Sequence, residues 1–335
     1  MNLSHFFGGQ RRLTGFIDRL VANDLPAILK SIGQPPATKI ESFASGQTAL
    51  VRHLILADGQ SLVLRAYFVD PVKQPGFSHW YLNRRLAERG FRMPAIPFRE
   101  VLPFPRGKAD VEVLLEEFIE GQVITEAVRD DETVRRRVVE AVLRLHKEQS
   151  PRPGHPWLKD NAADPIREAM ARAPVRFQRI RKQLPDATAR QVERCIAWLR
   201  EKTAQRPLPQ SYELIHGDLN RENLLLTPDG GIVLLDLVSM AYGCFESDLV
   251  DARWMFFDQP WWEDFCDEYF AAEPTRRERF EANAPLFFAF FYLIKASRQA
   301  SSAGKAVEKR NDEAAESHLA KSRRFWNLLL DIVEG

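Results

Sequence analysis

The chain has 335 residues, 45% hydrophobic and 28% charged, with a formal net charge of +1. That composition is ordinary for a globular protein with a sizeable core, and the near-neutral balance excludes a chain built as a whole to bind nucleic acid or an anionic membrane. Three widely spaced cysteines, Cys195, Cys244 and Cys266, form no CxxC pair, which argues against a disulfide framework or a zinc site and for a reducing compartment.

The first residues, MNLSHFFGGQRRLTGFIDRL, lack the apolar run and small-residue cleavage site of a signal peptide. The longest strongly apolar stretch, LFFAFFYLI at 286–294, is too short to span a bilayer and reads as a buried helix. A cytoplasmic protein without a membrane partner is expected.

Residues 12–32 show helical apolar spacing, ended by Pro35-Pro36. IESFASGQTALVRHLIL reads as strand, turn, strand, ADGQ as a hairpin turn and SLVLRAYFV as a further strand. HWYLNRRLAERGF predicts a helix stopped at Gly90, MPAIPF an extended segment, and VEVLLEEFI a strand closed by Gly121. From about residue 122 the pattern turns helical. TVRRRVVEAVLRLHKEQ is strongly amphipathic, and 162–204 is largely helical with breaks expected near Pro174 and Pro185. SYELI and GIVLLD are short strands, and helices resume from about 246. The fold class expected is α+β: a small β-rich N-terminal lobe over residues 1–120, a hinge near 116–121, and a larger, mainly helical lobe over 121–335. A cleft between such lobes is a common ligand site.

Charge is uneven along the second half. Bases outnumber acids between 159 and 206, and acids outnumber bases between 212 and 286. Each reads as a solvated helix face or as a substrate surface.

The polar run HGDLNRENLLL, 216–226, lies between apolar strand residues. Asn223 and Asp236, the latter at the end of the next strand, offer a neutral and a charged oxygen of the kind Mg²⁺ takes while bridging to phosphate. Asp218 precedes them and is suited to accept the proton of an attacking hydroxyl or to orient it. His216, Asp218, Asn223 and Asp236 together match the arrangement of phosphoryl-transfer enzymes, H-x-D-x-x-x-x-N followed by a metal-binding Asp. A directly metal-bound hydrolase site would need a further His or Cys nearby, and a purely structural turn would account for Asp218 and Asn223 but not for Asp236.

These segments resemble the aminoglycoside phosphotransferase family, whose relatives include choline, homoserine and methylthioribose kinases. LIHGDLNRENLLL resembles its catalytic loop, LLDLVSMAYGCFESDL its metal-binding segment, VLLEEFIEG its interlobe hinge and VLRLHKEQ the helix that ends in Leu-His. FASGQTALVRHLIL with SLVLR resembles the nucleotide loop and the strand bearing the basic phosphate contact. The matches follow the family's order over about residues 40 to 255. The resemblance implies a bilobal, protein-kinase-like fold. It implies Asp218 as catalytic base with His216 beside it, Asn223 and Asp236 as Mg²⁺ ligands, and Arg65 as the ATP phosphate contact. It implies that the backbone of Glu117, Phe118 and Ile119 faces adenine, and that Ser45, Gly46, Gln47 and Thr48 cover the phosphates. Asp248 is implied to be structural, fixing loops from a helix N-terminus.

Three departures stand out. The phosphate loop has a single glycine, Gly46, and reads equally as a plain turn. Arg65 stands where lysine is usual; its guanidinium keeps a permanent charge and grips phosphate bidentately. The family places a Glu in the following helix to orient the basic side chain, whereas SHWYLNRRL has no acid and Glu88 comes late, so no partner for Arg65 is named. Set against regulated protein kinases, Gly217 stands where H-R-D carries Arg, and only eleven residues separate Asp236 from Asp248, which leaves no room for a regulated activation loop or a peptide-docking platform.

The expected activity is therefore ATP- and Mg²⁺-dependent transfer of a phosphoryl group to the hydroxyl of a small molecule: an amino sugar, sugar, choline-like or amino-acid alcohol. The alternative is a catalytically silent nucleotide-binding module, motivated by Arg65 and the absent helix Glu. DQPWWEDFCDEYF, 258–270, reads either as a surface for a cationic acceptor or as an amphipathic helix with Trp261, Phe265 and Tyr269 in the core.

Overall fold

The computed structural model describes residues 3–43, 49–70, 74–104, 110–125, 128, 130–157, 164–181, 186–254, 260–308 and 310–335. The chain forms two compact units, Met1–Ile124 with Glu222–Val238, and Thr125–Arg221 with Ser239–Gly335. Residues 222–238 thus group with the N-terminal unit, in place of the expected lobe over 121–335.

In the first unit, β1 (Ala37–Ser42), β2 (Leu50–Leu56), β3 (Ser61–Phe68), β4 (Phe98–Leu102) and β5 (Val111–Glu117) make an antiparallel sheet ordered β1-β2-β3-β5-β4. Both faces are covered. The α1 (Leu3–Asn23) and α2 (Leu25–Ser31) helices lay Leu13, Phe16, Ile17, Leu20, Leu25 and Leu29 on Leu54, Leu62, Leu64, Val111, Val113 and Leu115. The other face carries Val63, Arg65 and Tyr67 of β3 and Glu112, Leu114 and Glu116 of β5, because side chains alternate along a strand. Helix α3 (Pro75–Glu88) packs there. The predicted single helix over 12–32 is divided at Asp24, where Leu25-Pro26 opens the second helix.

The expected SYELI strand is β8 (Tyr212–Ile215) and the GIVLLD strand is β10 (Ile232–Leu234), but they do not pair. In the first unit β10 pairs with β9 (Leu224–Leu226), and β9 pairs with β6 (Gln122–Val123). In the second, β8 lies between β7 (Gln149–Ser150) and β11 (Ala241–Gly243).

The second unit is otherwise helical: α4 (Glu132–His146), α5 (Pro165–Ile180), α6 (Asp186–Gln205), α7 (Phe245–Ala252), α8 (Trp261–Ala272), α9 (Thr275–Glu308) and α10 (Asp312–Glu334). No break occurs at Pro174, which lies inside α5. Proline removes one backbone hydrogen bond there, but Ile166, Met170, Ala173 and Phe177 bury a continuous stripe that holds the helix together. Residues 286–293 of α9 are all buried, as the apolar run predicted. Cys195, Cys244 and Cys266 are buried free thiols. No described helix is long and apolar enough to cross a membrane.

Ile17 has no exposed surface where α1 meets the sheet. Ile17→Ala is expected to lower unfolding stability by about 2–5 kcal/mol, read from the urea midpoint; an unchanged midpoint would show that α1 is not part of this core.

Candidate active site

The loop from His216, expected to be catalytic, follows β8 in the second unit, where one carboxylate holds it. Asp248, on α7 and fully buried, accepts the backbone N–H of His216 at 2.7 Å and of Gly217 at 2.9 Å. His146, at the end of α4, adds a third bond from Nε2 at 3.1 Å. Burial alone would raise the Asp248 pKa; the His146 hydrogen bond and charge, aided by the loop N–H groups, lower it instead. Arg276 donates to the Tyr269 hydroxyl at 2.7 Å, and that hydroxyl lies 2.9 Å from His146 Nδ1. The Tyr269 hydroxyl thus accepts from Arg276 and closes the far side of the His146 ring, while Nε2 donates to Asp248. Asp248 is thus the loop anchor that the resemblance implied.

Gly217 has φ +75°, and a Cβ there would lie 2.5 Å from the Ser239 carbonyl oxygen. The position is closed to any side chain, which is the physical reason that no Arg stands between His216 and Asp218. His216 is fully buried, Asp218 half-buried. Asn220 Nδ2 donates to the Asp218 carbonyl at 3.1 Å, bracing the next turn.

In the first unit the β9–β10 hairpin brings Asn223 and Asp236 to its open end. The strands pair from Leu224–Leu234 outward, and the Leu235 N–H donates to the Asn223 carbonyl at 2.9 Å. Asn223 is buried, and Asp236 has φ +50°. A non-glycine residue in the left-handed region costs energy, least for Asp and Asn, and such outliers cluster at functional sites. Amide and carboxylate oxygens are the hard ligands Mg²⁺ accepts, and no described cluster of three or more His, Cys, Asp or Glu offers a closed metal site.

Arg65 belongs to the same unit. Its partner is Glu116, one strand away on β5, and not an acid on α3. Burial alone would lower the guanidinium pKa; Glu116 first, with Tyr67 and Asp236 adding less, raises it. Sequence reading missed Glu116 because it looked for the acid on the helix. The signal was present in VEVLLEE: Glu112 and Glu116 fall on one face of an otherwise apolar strand, where a buried charge needs a partner.

At the hinge, the Glu117 N–H donates to the Ala95 carbonyl at 2.8 Å and the Phe118 N–H to the Ser61 carbonyl at 3.2 Å. Of the backbone expected to face adenine, the Glu117 and Phe118 N–H groups are therefore spent within the unit, which leaves the Ile119 N–H. The Phe118 ring stacks on His53 at 4.5 Å and lies parallel to Phe43 at 6.4 Å. Ser45, Gly46, Gln47 and Thr48 lie outside the described residues.

The second reading of 258–270 is the correct one for its aromatics. Trp261, Phe265 and Tyr269 are at most 3% exposed. Three of the four acids of α8 meet bases: Asp264 and Glu268 pair with Arg135, and Asp267 with Arg277. Asp251 of α7 has Lys295 and Arg298 as basic neighbours and Asp248 and Asp218 as acidic ones. Burial, then the charges of Asp248 and Asp218, push its carboxyl up to about 8.

Two expectations follow from this geometry. Gly217→Ala forces a side chain against the Ser239 carbonyl and into the left-handed region, and should cost about 1–3 kcal/mol in thermal or urea unfolding. Asp251 binds its proton more tightly folded than unfolded, so stability should fall as pH rises from about 4 to about 8. Asp251→Asn keeps the shape without that titration and should flatten the fall, measured as urea midpoint against pH; parallel curves for the two proteins would contradict it.

A family model described as the phosphotransferase enzyme family (APH) matches residues 39–281. No curated protein sequence matches the chain. Among solved structures, an amicoumacin kinase in complex with AMP-PNP, Ca²⁺ and Ami is 14% identical with a TM-score of 0.66, over 93% of this chain and 95% of that one. A thermostable mutant of the aminoglycoside phosphotransferase APH(4)-Ia, with ADP and hygromycin B, is 15% identical with a TM-score of 0.61, over 91% and 98%. A gentamicin complex of APH(2″)-IIa gives 12% and 0.60, over 89% and 95%. At these identities the structural likeness speaks for the fold, and the family model speaks for the lineage. With the match spanning most of its length, the chain belongs to the APH phosphotransferase family and is a small-molecule kinase.

Proposed function

We propose that the chain moves the γ-phosphoryl group of ATP, with Mg²⁺, to a hydroxyl of a small molecule that also carries a cationic nitrogen. The observation that carries the reading is the use of a fully buried carboxylate, Asp248, to fix the two backbone groups immediately before Asp218. A loop held this tightly delivers one carboxylate in a set position, which is what phosphoryl transfer asks of the protein.

In the reaction, the acceptor oxygen bonds to the γ-phosphorus while the bond from that phosphorus to the β–γ bridging oxygen breaks. ADP leaves with the electron pair, and the hydroxyl proton passes to Asp218. Asn223 and Asp236 would hold the metal, whose charge offsets that of the phosphates when bound. Arg65 adds a permanent positive charge in the same unit. The buried His216 keeps the loop in shape, and the Ile119 N–H with the Phe43–Phe118 ring pair suits a purine edge and face.

The cationic acceptor is supported by the excess of acids over bases between 212 and 286. The solved relatives with hygromycin B and gentamicin point the same way. The alternative of a silent module is motivated by Arg65 and the absent helix Glu; against it, Glu116 gives Arg65 an acidic partner from the sheet.

The test is Mg²⁺-dependent ADP release, followed with a coupled assay against amino sugars, choline-like alcohols, neutral sugars and hydroxy amino acids. Asp218→Ala should lower turnover at least about 100-fold with the melting temperature retained. Undiminished turnover in that variant would refute the role of Asp218.

A further inference from the structure

The face of the sheet beneath α3 should be apolar, yet it carries an ion-pair relay. Arg65 sits opposite Leu114, and Val63 opposite Glu116, so Arg65 and Glu116 are diagonal neighbours on one face of the β3–β5 pair. Arg65 Nε donates to Glu116 Oε1. The second oxygen, Oε2, lies 2.8 Å from Nε2 of His79 on α3. The Glu116 and His79 side chains are 3% and 4% exposed, and Arg65 keeps 18%. Each carboxylate oxygen thus has its own donor, one from the sheet and one from the helix. Nδ1 of His79 has no partner among the described residues, so the ring's one bond is the bond to Glu116.

This arrangement has a directional sense. The carboxylate engages Nε, and the terminal amino groups of Arg65 lie outside that pair, with the Tyr67 hydroxyl on the same face of β3 as their neighbour. A guanidinium held by Nε keeps a fixed plane and presents those amino groups as a fork suited to phosphate oxygens. Removing the Glu116 charge frees that plane and leaves a buried cation poorly paired.

We propose that Glu116 is the positioning residue that aims Arg65 at the phosphates of the nucleotide, and that His79 ties α3 to the same carboxylate where an acid on the helix was expected. Because the acid belongs to the sheet, the pair is built by strand register, and the helix supplies only its outer brace. The proposal rests on Arg65 being a phosphate contact, so the test separates the two.

Affinities for Mg²⁺–ATP and for adenosine are measured by titration calorimetry, with melting temperatures alongside. Arg65→Ala should lower ATP affinity and leave adenosine affinity unchanged. Glu116→Gln should cut the ATP-to-adenosine affinity ratio roughly tenfold. The double variant should be no worse than Arg65→Ala alone, since both changes remove one function. His79→Leu should lower the ratio by a smaller factor, and His79→Gln, which keeps a donor for Oε2, should restore it. The His79 pair reads the same link from its other end if Glu116→Gln does not fold. An Arg65→Ala ratio equal to that of the wild type would remove the phosphate contact and the proposal with it. A normal ratio in both Glu116→Gln and His79→Leu, with Arg65→Ala impaired, would keep the contact and overturn the positioning role. Equal loss of ATP and adenosine binding in the variants would show a structural role alone and also overturn it.

Discussion

A fully buried carboxylate, Asp248, is the constraint on which the loop leading to Asp218 depends. Taking a charge out of water is costly unless hydrogen bonds replace the lost hydration. Asp248 receives three, from the backbone of His216, the backbone of Gly217 and the ring of His146. The charge therefore persists only while the loop keeps its shape, and the loop keeps its shape because the charge needs those donors. Tyr269 and Arg276 extend the arrangement outward, with the Tyr269 hydroxyl against Nδ1 of His146. Gly217 is a consequence: with its N–H turned to Asp248, its φ is positive and the Ser239 carbonyl fills the place of a side chain.

The N-terminal unit uses the same device on β5. Glu112 pairs with Arg99 at 2.6 Å, and Glu116 pairs with Arg65. Burial opposes ionisation of Glu116, but Arg65 and then His79 more than offset it and lower its pKa to about 2. Such pairs add little net stability, because desolvation cancels much of the attraction, but losing one partner is expensive. They serve to fix direction, which matters for a guanidinium that must meet phosphate.

What could be read from the sequence was what lies close together along it. The H-x-D-x-x-x-x-N spacing, Asp236 at a strand end and the apolar run of α9 each carry their meaning in local order. What could not be read depends on register. Glu116 is 51 residues from Arg65, and the two meet because β3 and β5 pair with one particular alignment; a slip of one residue would send them to opposite faces. Pro174 shows the converse, where a local rule for breaking a helix gave way to the buried stripe of α5. The hinge shows a third case: which N–H groups the sheet consumes is set by Ala95 and Ser61, and VLLEEFIEG says nothing of either.

The central claim is chemical, that the γ-phosphoryl group reaches an alcohol. Phosphorus-31 NMR of the enzyme with ATP, Mg²⁺ and an amino-sugar or amino-alcohol acceptor tests it most directly. The account predicts a new phosphate-monoester resonance growing in step with ADP. Inorganic phosphate as the only new species with every acceptor, at a rate the acceptors do not change, would contradict it.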